Sequence, residues 1–218
     1  MHSHPNESKA LYTITLITVI LLIGFAIFSA MNNSKFFFDA IIGILIVIVC
    51  YRYRLSFIYS VPGATLSAAG IVMNTAGAVG AYNLTIGIIG WDKFLHIIAA
   101  AGVALITYAY LRKKQAGILL SILGAFLIAQ GLGAFNELVE FLGTRYFDIH
   151  QGLFGTANGD NPLSTDLERF DAEWDMIFNS IGIIFSIGIA ALLDAKNNLN
   201  VKNNSKKKVK RRQKSKRS

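Results

Sequence analysis

Hydrophobic positions along this chain fall into long, nearly unbroken runs that short polar segments separate. Several of these runs approach the ~20 residues that an α-helix needs to cross a hydrocarbon core of about 30 Å. The runs predict six transmembrane helices, at Leu11–Ala30, Phe37–Tyr51, roughly Ala64–Tyr82, Trp91–Leu111, Ala116–Gly143 and Trp174–Leu193. The third run is diluted by glycine and alanine, which suits a helix at the bundle centre because small residues let backbones approach.

The composition supports this interpretation. Hydrophobic residues make up 53% of the chain and charged residues only 16%, which is typical of a membrane protein rather than a soluble domain. The lone cysteine, Cys50, excludes an intramolecular disulfide and a cysteine-rich metal site. We therefore predict an all-α, polytopic membrane bundle over residues 1–196, followed by a basic tail over 197–218.

The distribution of positive charge predicts the orientation. The N-terminal segment, the links after the second and fourth helices and the C-terminal segment hold 17 of the 21 lysines and arginines. With six spans, all of these segments lie on one side, which the positive-inside rule assigns to the cytoplasm. We expect a multi-pass protein of the cell membrane with both termini inside and segment 144–170 outside.

The tail lacks apolar residues that could be buried, so the sequence predicts disorder there. Its positive charges attract anionic lipid headgroups, at about 1 kcal/mol per charge near the surface. No aromatic or folded module accompanies them, so we expect no specific recognition of nucleic acid. The residues predicted to contact headgroups are Lys206, Lys207, Lys208, Lys210, Arg211 and Arg212.

Polar side chains occur near the outer ends of three apolar helices, although charge at membrane depth is costly and therefore indicates function by default. Asp92 and His96 are four residues apart on the fourth helix, and Glu137 and Glu140 are three apart on the fifth, so each pair shares a helical face. A polar or small-residue stripe on the sixth helix consists of Asp171, Asp175, Asn179, Gly182 and Ser186. We expect these groups to meet at one depth and form a polar site.

The residue types leave three interpretations of that site open. An imidazole and several carboxylates suit a divalent cation such as Zn²⁺, Mn²⁺, Fe²⁺, Mg²⁺ or Ca²⁺. Without a metal, the acids could share protons with His96 and form a relay. Alternatively, His96 hydrogen-bonds Glu137 or Asp175 and only ties the helices together.

The segment between the fifth and sixth helices is long for a connection between helices, which is typical of functional loops. Asp160 in "NGDN" is a candidate to fold over the mouth of the site, and an acidic, solvated loop is the alternative. The stretch does not have the longer pattern of an EF-hand loop.

At these residues the chain resembles a known pattern. "WDKFLH", "NELVE", a Gly-Asp loop and "WDMIFNSIG" resemble the YjdF-type predicted membrane proteins of bacteria and archaea. They resemble more loosely the VanZ-like proteins, which combine Asp-Lys-x-x-His, a central Glu and Asp-x-x-x-Asn-x-x-Gly. The likeness covers roughly Trp91 to Gly188 and implies membrane placement without a mechanism. The site positions it implies are Asp92, His96, Glu137, Glu140, Asp160, Asp175, Asn179 and Gly182.

Two classes of function follow from these observations. One is a membrane-embedded enzyme, metal-dependent if the site binds an ion, that acts on a lipid or lipid-linked envelope substrate at the outer leaflet. The other is a non-enzymatic binding, transport or assembly protein that uses the same cluster. Gln130, Asn74 and Ser186 lie deeper, but no deep acid follows them, which argues against a path for ions through the bundle.

Overall fold

The computed structural model describes residues 5–32, 36–53, 60–86, 89–147 and 170–215, and every long element in these ranges is a helix. The side chains of residues 197–215 are not part of this description. The six α-helices of the described ranges are α1 Pro5–Met31, α2 Phe37–Arg52, α3 Val61–Ala78, α4 Trp91–Lys113, α5 Ile118–Phe147 and α6 Asp171–Ser215. The predicted all-helical architecture is confirmed.

Four of the described helices are long and apolar enough to cross a membrane: α1, α4, α5 and the Asp171–Lys196 part of α6. Their outward faces carry large apolar side chains, as Phe185 (71% exposed) and Leu192 (74% exposed) illustrate. Such exposure is unfavourable in water and appropriate against lipid. The chain is thus a polytopic helical membrane protein, whereas a spanning role for α2, with 16 residues, and for α3 stays a prediction.

The bounds of α3 differ from the predicted 64–82. The Ser60 hydroxyl accepts a hydrogen bond from the Gly63 N–H at 3.0 Å, which caps a helix that begins at Val61. The helix ends at Ala78, and Gly80 follows with φ +126°, a conformation that side chains other than glycine rarely adopt. Hydropathy alone does not detect such a stop, because the residues beyond it remain apolar.

The connection from α3 to α4 contains short elements that the hydropathy pattern does not predict. A 3₁₀ turn at Ala81–Asn83 precedes two antiparallel strands, β1 at Thr85–Ile86 and β2 at Ile89–Gly90. The Trp91 N–H then donates to the Leu84 carbonyl at 2.9 Å, so the hairpin joins directly to the start of α4.

Helix α4 lies at the centre of the bundle and packs against α3, α5 and α6. Its contact with α3 is close because small residues face each other: a Cβ on Gly70 would lie 2.9 Å from the Ala99 Cβ. On its other side, Gly182 of α6 lies directly against the Ile97 carbonyl. Glycine-rich faces therefore bring three helix backbones together, as the composition of α3 predicts for that helix.

The direction of each helix follows from the contacts at its two ends. Lys93 contacts Asp175 at one end, while Arg112 contacts Asp194 at the other, so α4 and α6 run parallel. Arg112 also donates to the Ala116 carbonyl, just before α5 turns back along the bundle. The starts of α4 and α6 and the end of α5 consequently lie together.

The backbone of α6 continues as helix to Ser215, through most of the segment for which the sequence predicts disorder. Only backbone is described beyond Lys196, so the predicted contact of Lys206–Lys208, Lys210, Arg211 and Arg212 with headgroups stays a prediction.

Candidate functional site

The polar residues near the start of α4, the end of α5 and the start of α6 form one cluster. Its most enclosed members are Lys93, His96 and Asp175, with 4%, 5% and 1% of their surface exposed. Asp92, Asp171 and Glu137 lie around them and are partly buried. The three helix ends therefore bring together side chains that are up to 83 residues apart in the chain.

Lys93 lies at the centre of the acidic residues. Its Nζ donates to Asp92 Oδ2 at 3.1 Å and to Asp175 Oδ1 at 2.7 Å. It also donates to Asp171 Oδ1, so one ammonium group contacts carboxylates from two helices. A buried lysine needs such partners because an unpaired charge in a low-dielectric environment is strongly destabilising.

Lys93 is not among the site residues that the sequence predicts, although it lies within the "WDKFLH" segment. One signal could have identified it: Lys93 falls inside the first turn of an apolar helix, directly after Asp92. An intramembrane lysine implies a carboxylate partner from a neighbouring helix.

His96 faces three carboxylate oxygens with its Nε2 atom. The distances from Nε2 are 3.6 Å to Asp92 Oδ1, 3.6 Å to Asp175 Oδ2 and 3.8 Å to Glu137 Oε1. All three are longer than the 2.7–3.2 Å of an ordinary N–H···O hydrogen bond. The imidazole and the acids thus surround a small gap rather than bonding directly to one another.

The other imidazole nitrogen has a defined partner. His96 Nδ1 lies 3.3 Å from Asn179 Oδ1, and an amide oxygen can only accept a hydrogen bond. With the Asn179 amide in this orientation, Nδ1 carries the proton, and a neutral imidazole directs the lone pair of Nε2 toward the carboxylates. A lone pair facing anionic oxygens is unfavourable unless a cation or a proton lies between them.

Three of the side chains around the gap are of the types that ligate metal ions. One ligand atom from each of Asp92, His96 and Asp175 lies within 4.8 Å of the other two. Two ligand atoms bound at 2.0–2.2 Å to one ion in a tetrahedral site are separated by about 3.3 to 3.6 Å. The 3.6 Å distances from His96 Nε2 to both aspartates are at the upper end of that range.

The two glutamates of "NELVE" have different surroundings. Glu137 Oε1 is buried next to His96 and has no hydrogen-bond partner in the described part of the chain. Glu140 instead accepts a hydrogen bond from Asn136 Nδ2 of the same helix, at 2.7 Å. Glu137 therefore lies next to the imidazole of α4, whereas the Glu140 side chain is hydrogen-bonded within its own helix, α5.

Of the remaining residues that the sequence predicts for the site, some contact the cluster and others do not. Asp171 contacts Lys93, and Asn179 contacts His96, so both support the cluster from α6. Gly182 provides the close approach of α6 to α4, and Ser186 hydrogen-bonds the Ile183 carbonyl within its own helix at 3.1 Å. Asp160 lies outside the described residues.

Neighbouring groups enclose the site. A Cβ on Gly133 would lie 2.5 Å from Asn179 Nδ2, so this glycine of α5 leaves room for the amide that orients His96. Tyr82, in the connection before α4, donates to Asn74 Oδ1 at 2.8 Å. Burial, together with the nearby Asp92 and Glu140 carboxylates, raises the pKa of the Tyr82 hydroxyl, which therefore remains a hydrogen-bond donor.

The formal charge of the cluster is negative. Three carboxylates, those of Asp92, Asp171 and Asp175, contact the ammonium of Lys93, and the carboxylate of Glu137 lies next to His96. With a neutral imidazole, the ionised cluster has three negative charges in excess. A partly buried site cannot sustain that excess alone, so it favours a cation or protons and disfavours anions.

Comparisons with known proteins give one result. The family described as "Predicted membrane protein (DUF2238)" matches residues 11–196, which include every residue of the cluster. Comparisons with curated proteins and with solved structures gave no match. The description does not mention the YjdF type, and nothing in the comparisons supports the looser VanZ likeness.

Proposed function

This chain belongs to the DUF2238 family of predicted membrane proteins, and from the geometry of its polar cluster we propose that it binds a divalent metal ion within the membrane domain. The proposed ligands are Asp92 and His96 of α4 and Asp175 of α6. Glu137 of α5 lies next to the imidazole and could complete the coordination or hold a bound water.

One observation carries this proposal. The three ligand atoms face a common gap, and another atom of each ligand side chain contacts a neighbouring polar group. Asp92 and Asp175 each present one oxygen to Lys93 and the other to His96 Nε2. Asn179 holds the opposite side of the imidazole. Outer hydrogen bonds that fix ligand orientation are a general property of metal centres.

The donor set favours a borderline transition metal. One imidazole nitrogen and two carboxylate oxygens suit Zn²⁺, Mn²⁺ or Fe²⁺. We propose that the site faces the outer side of the cell membrane, as the distribution of basic residues predicts for a protein with six spans and cytoplasmic termini. We also propose that the chain is of the YjdF type. Its basic tail would contact the lipid headgroups of the inner leaflet.

A second candidate function is enzymatic. Three protein ligands leave an open coordination position, which catalytic zinc sites use for water. The Glu137 oxygen that lacks a hydrogen-bond partner within the described residues is placed to accept a proton from such a water. At the outer leaflet, the substrate would be a lipid or a lipid-linked envelope component.

The test is metal binding by the purified protein. We expect about one equivalent of metal by mass spectrometry, and titration of chelator-treated protein with Mn²⁺ or Zn²⁺ should show a single site. Asp175→Asn and His96→Gln should each weaken binding at least about tenfold, since each removes a ligand. Glu173→Gln is the matched control, because Glu173 is an exposed acid in the same first turn of α6.

The contrary result is equally clear. A folded wild-type protein that binds no metal would overturn the proposal and leave the cluster as a structural or proton-sharing network. Equal binding by the wild type and the Asp175→Asn variant would place any bound metal elsewhere.

A further inference from the structure

We infer that Lys93 determines which metal the site accepts, by occupying one oxygen of each aspartate ligand and so excluding Ca²⁺. This inference rests on the proposed metal site and adds its selectivity. The two oxygens of each aspartate have different neighbours, and the inference starts from this division. Lys93 Nζ contacts Asp92 Oδ2 and Asp175 Oδ1, whereas His96 Nε2 faces Asp92 Oδ1 and Asp175 Oδ2.

The division has a direct consequence for coordination. A carboxylate that turns one oxygen toward an ammonium group and hydrogen-bonds it presents its other oxygen to an ion in the gap. Asp92 and Asp175 are therefore restricted to monodentate binding while Lys93 is in place. The lysine is itself fixed, because it is 4% exposed and also contacts Asp171.

Monodentate binding separates two classes of divalent cation. Ca²⁺ takes six to eight oxygen ligands at 2.3–2.6 Å, and bidentate carboxylates commonly supply part of that number. The described gap offers two aspartate oxygens, the Glu137 oxygen and one imidazole nitrogen, a poor partner for Ca²⁺. The same set suits Zn²⁺ or Mn²⁺, which accept nitrogen and fewer ligands at shorter distances.

Removal of the lysine would change the type of site as well as its charge. Without Lys93, both oxygens of Asp92 and of Asp175 become available, and Asp171 loses its ammonium partner. The cluster would then become an oxygen-rich site of the kind that Ca²⁺ prefers. Loss of a positive charge alone would strengthen the binding of all divalent cations alike, so the ratio of two affinities isolates selectivity from simple electrostatics.

The experiment measures that ratio in detergent-solubilised full-length protein, with Mn²⁺ and Ca²⁺ titrated separately and in competition. For the wild type we expect Mn²⁺ to bind and Ca²⁺ to compete poorly. In Lys93→Met, the preference for Mn²⁺ over Ca²⁺ should fall at least about tenfold, because bidentate coordination becomes available. Lys93→Arg, which keeps the charge and the donors, should retain most of the preference.

Asp171→Asn is the matched control for charge. Asp171 does not belong to the triad that faces the gap, and an asparagine there keeps an oxygen that can accept from Lys93 Nζ and hold the lysine in place. The loss of its charge should therefore shift both affinities in the same direction and leave their ratio unchanged. If Lys93→Met does not fold, the double variant Lys93→Met/Asp171→Asn removes one of the unpaired acids as well, and the same fall in the ratio is expected.

The outcomes separate the two proposals. A wild-type protein that binds neither Mn²⁺, Zn²⁺ nor Ca²⁺ overturns the metal site and the inference together. A wild type that binds Mn²⁺, with an unchanged ratio in the Lys93→Met variants, overturns the inference alone and makes Lys93 a structural counter-ion. A wild type that binds Ca²⁺ as tightly as Mn²⁺ also overturns the inference.

Discussion

His96 and Asn179 meet across the interface between α4 and α6, with 3.3 Å between the imidazole Nδ1 and the amide Oδ1. Both residues have 5% or less of their surface exposed, and Asn179 Nδ2 has no hydrogen-bond partner among the described residues. A buried N–H group without a hydrogen-bond partner destabilises the fold by about 1–3 kcal/mol. The compensation, in our proposal, is a histidine held in the tautomer that can bind a metal.

The first prediction follows from that contact. Asn179→Ala should lower the metal affinity about tenfold, because the imidazole loses the group that fixes its tautomer and orientation. The measurement is a titration with Mn²⁺ or Zn²⁺ beside the thermal stability of each variant. Asn74→Ala is the control: it also removes an amide that bonds a neighbouring side chain, that of Tyr82, but a partly buried one on α3. Equal metal affinities in the two variants would contradict the orienting role of Asn179.

The second prediction concerns the space that Gly133 leaves for this amide. A Cβ at Gly133 would lie 2.5 Å from Asn179 Nδ2, so Gly133→Ala should displace the amide and thereby the imidazole. We expect weaker metal binding in a protein that still folds. Gly131→Ala, two residues away on α5 with nothing within 4 Å of the added Cβ, should bind metal as the wild type does. The prediction fails if both alanines leave binding intact.

The sequence predicts the convergence of this polar cluster from two properties, helical periodicity and the direction of each helix. Asp92 and His96 must share a face of α4, and Asp175 and Asn179 must share a face of α6. Because α4 and α6 each begin and α5 ends on the same side, their polar ends lie at similar depth. The described structure agrees with this geometry at Asp92, His96, Glu137, Asp175 and Asn179.

The sequence does not predict which partner each side chain selects. Glu140 bonds with Asn136 rather than with the histidine, and Lys93 lies among the acids rather than reaching toward water. Those choices depend on the rotation of each helix about its axis, which packing sets. The hairpin before α4 was also missed, since strands of two residues leave no hydropathy pattern.

The third prediction tests the packing that holds the two ligand-bearing helices together. Gly182 lies directly against the Ile97 carbonyl, so Gly182→Ala forces α6 away from α4. We expect a loss of about 1–3 kcal/mol in the free energy of unfolding, as for overpacked cores. Gly188→Ala, on the same helix with nothing within 4 Å of its added Cβ, should cost little. Thermal denaturation in detergent compares the two, and equal midpoints would show that α4 and α6 do not pack as described.

The last prediction concerns orientation, on which the outward location of the site depends. The distribution of basic residues places segment 144–170 outside and the link at Lys113 inside the cell. In a Cys50→Ser background, a cysteine at Asn158 should react with a membrane-impermeant thiol reagent in intact cells, whereas one at Lys113 should react only after the cells are opened. We expect this difference in labelling because segments rich in lysine and arginine are rarely translocated across the membrane, so the link at Lys113 stays in the cytoplasm. Labelling of the Lys113 variant in intact cells, with protection at Asn158, would invert the protein and turn the Asp92–His96–Asp175 cluster toward the cytoplasm.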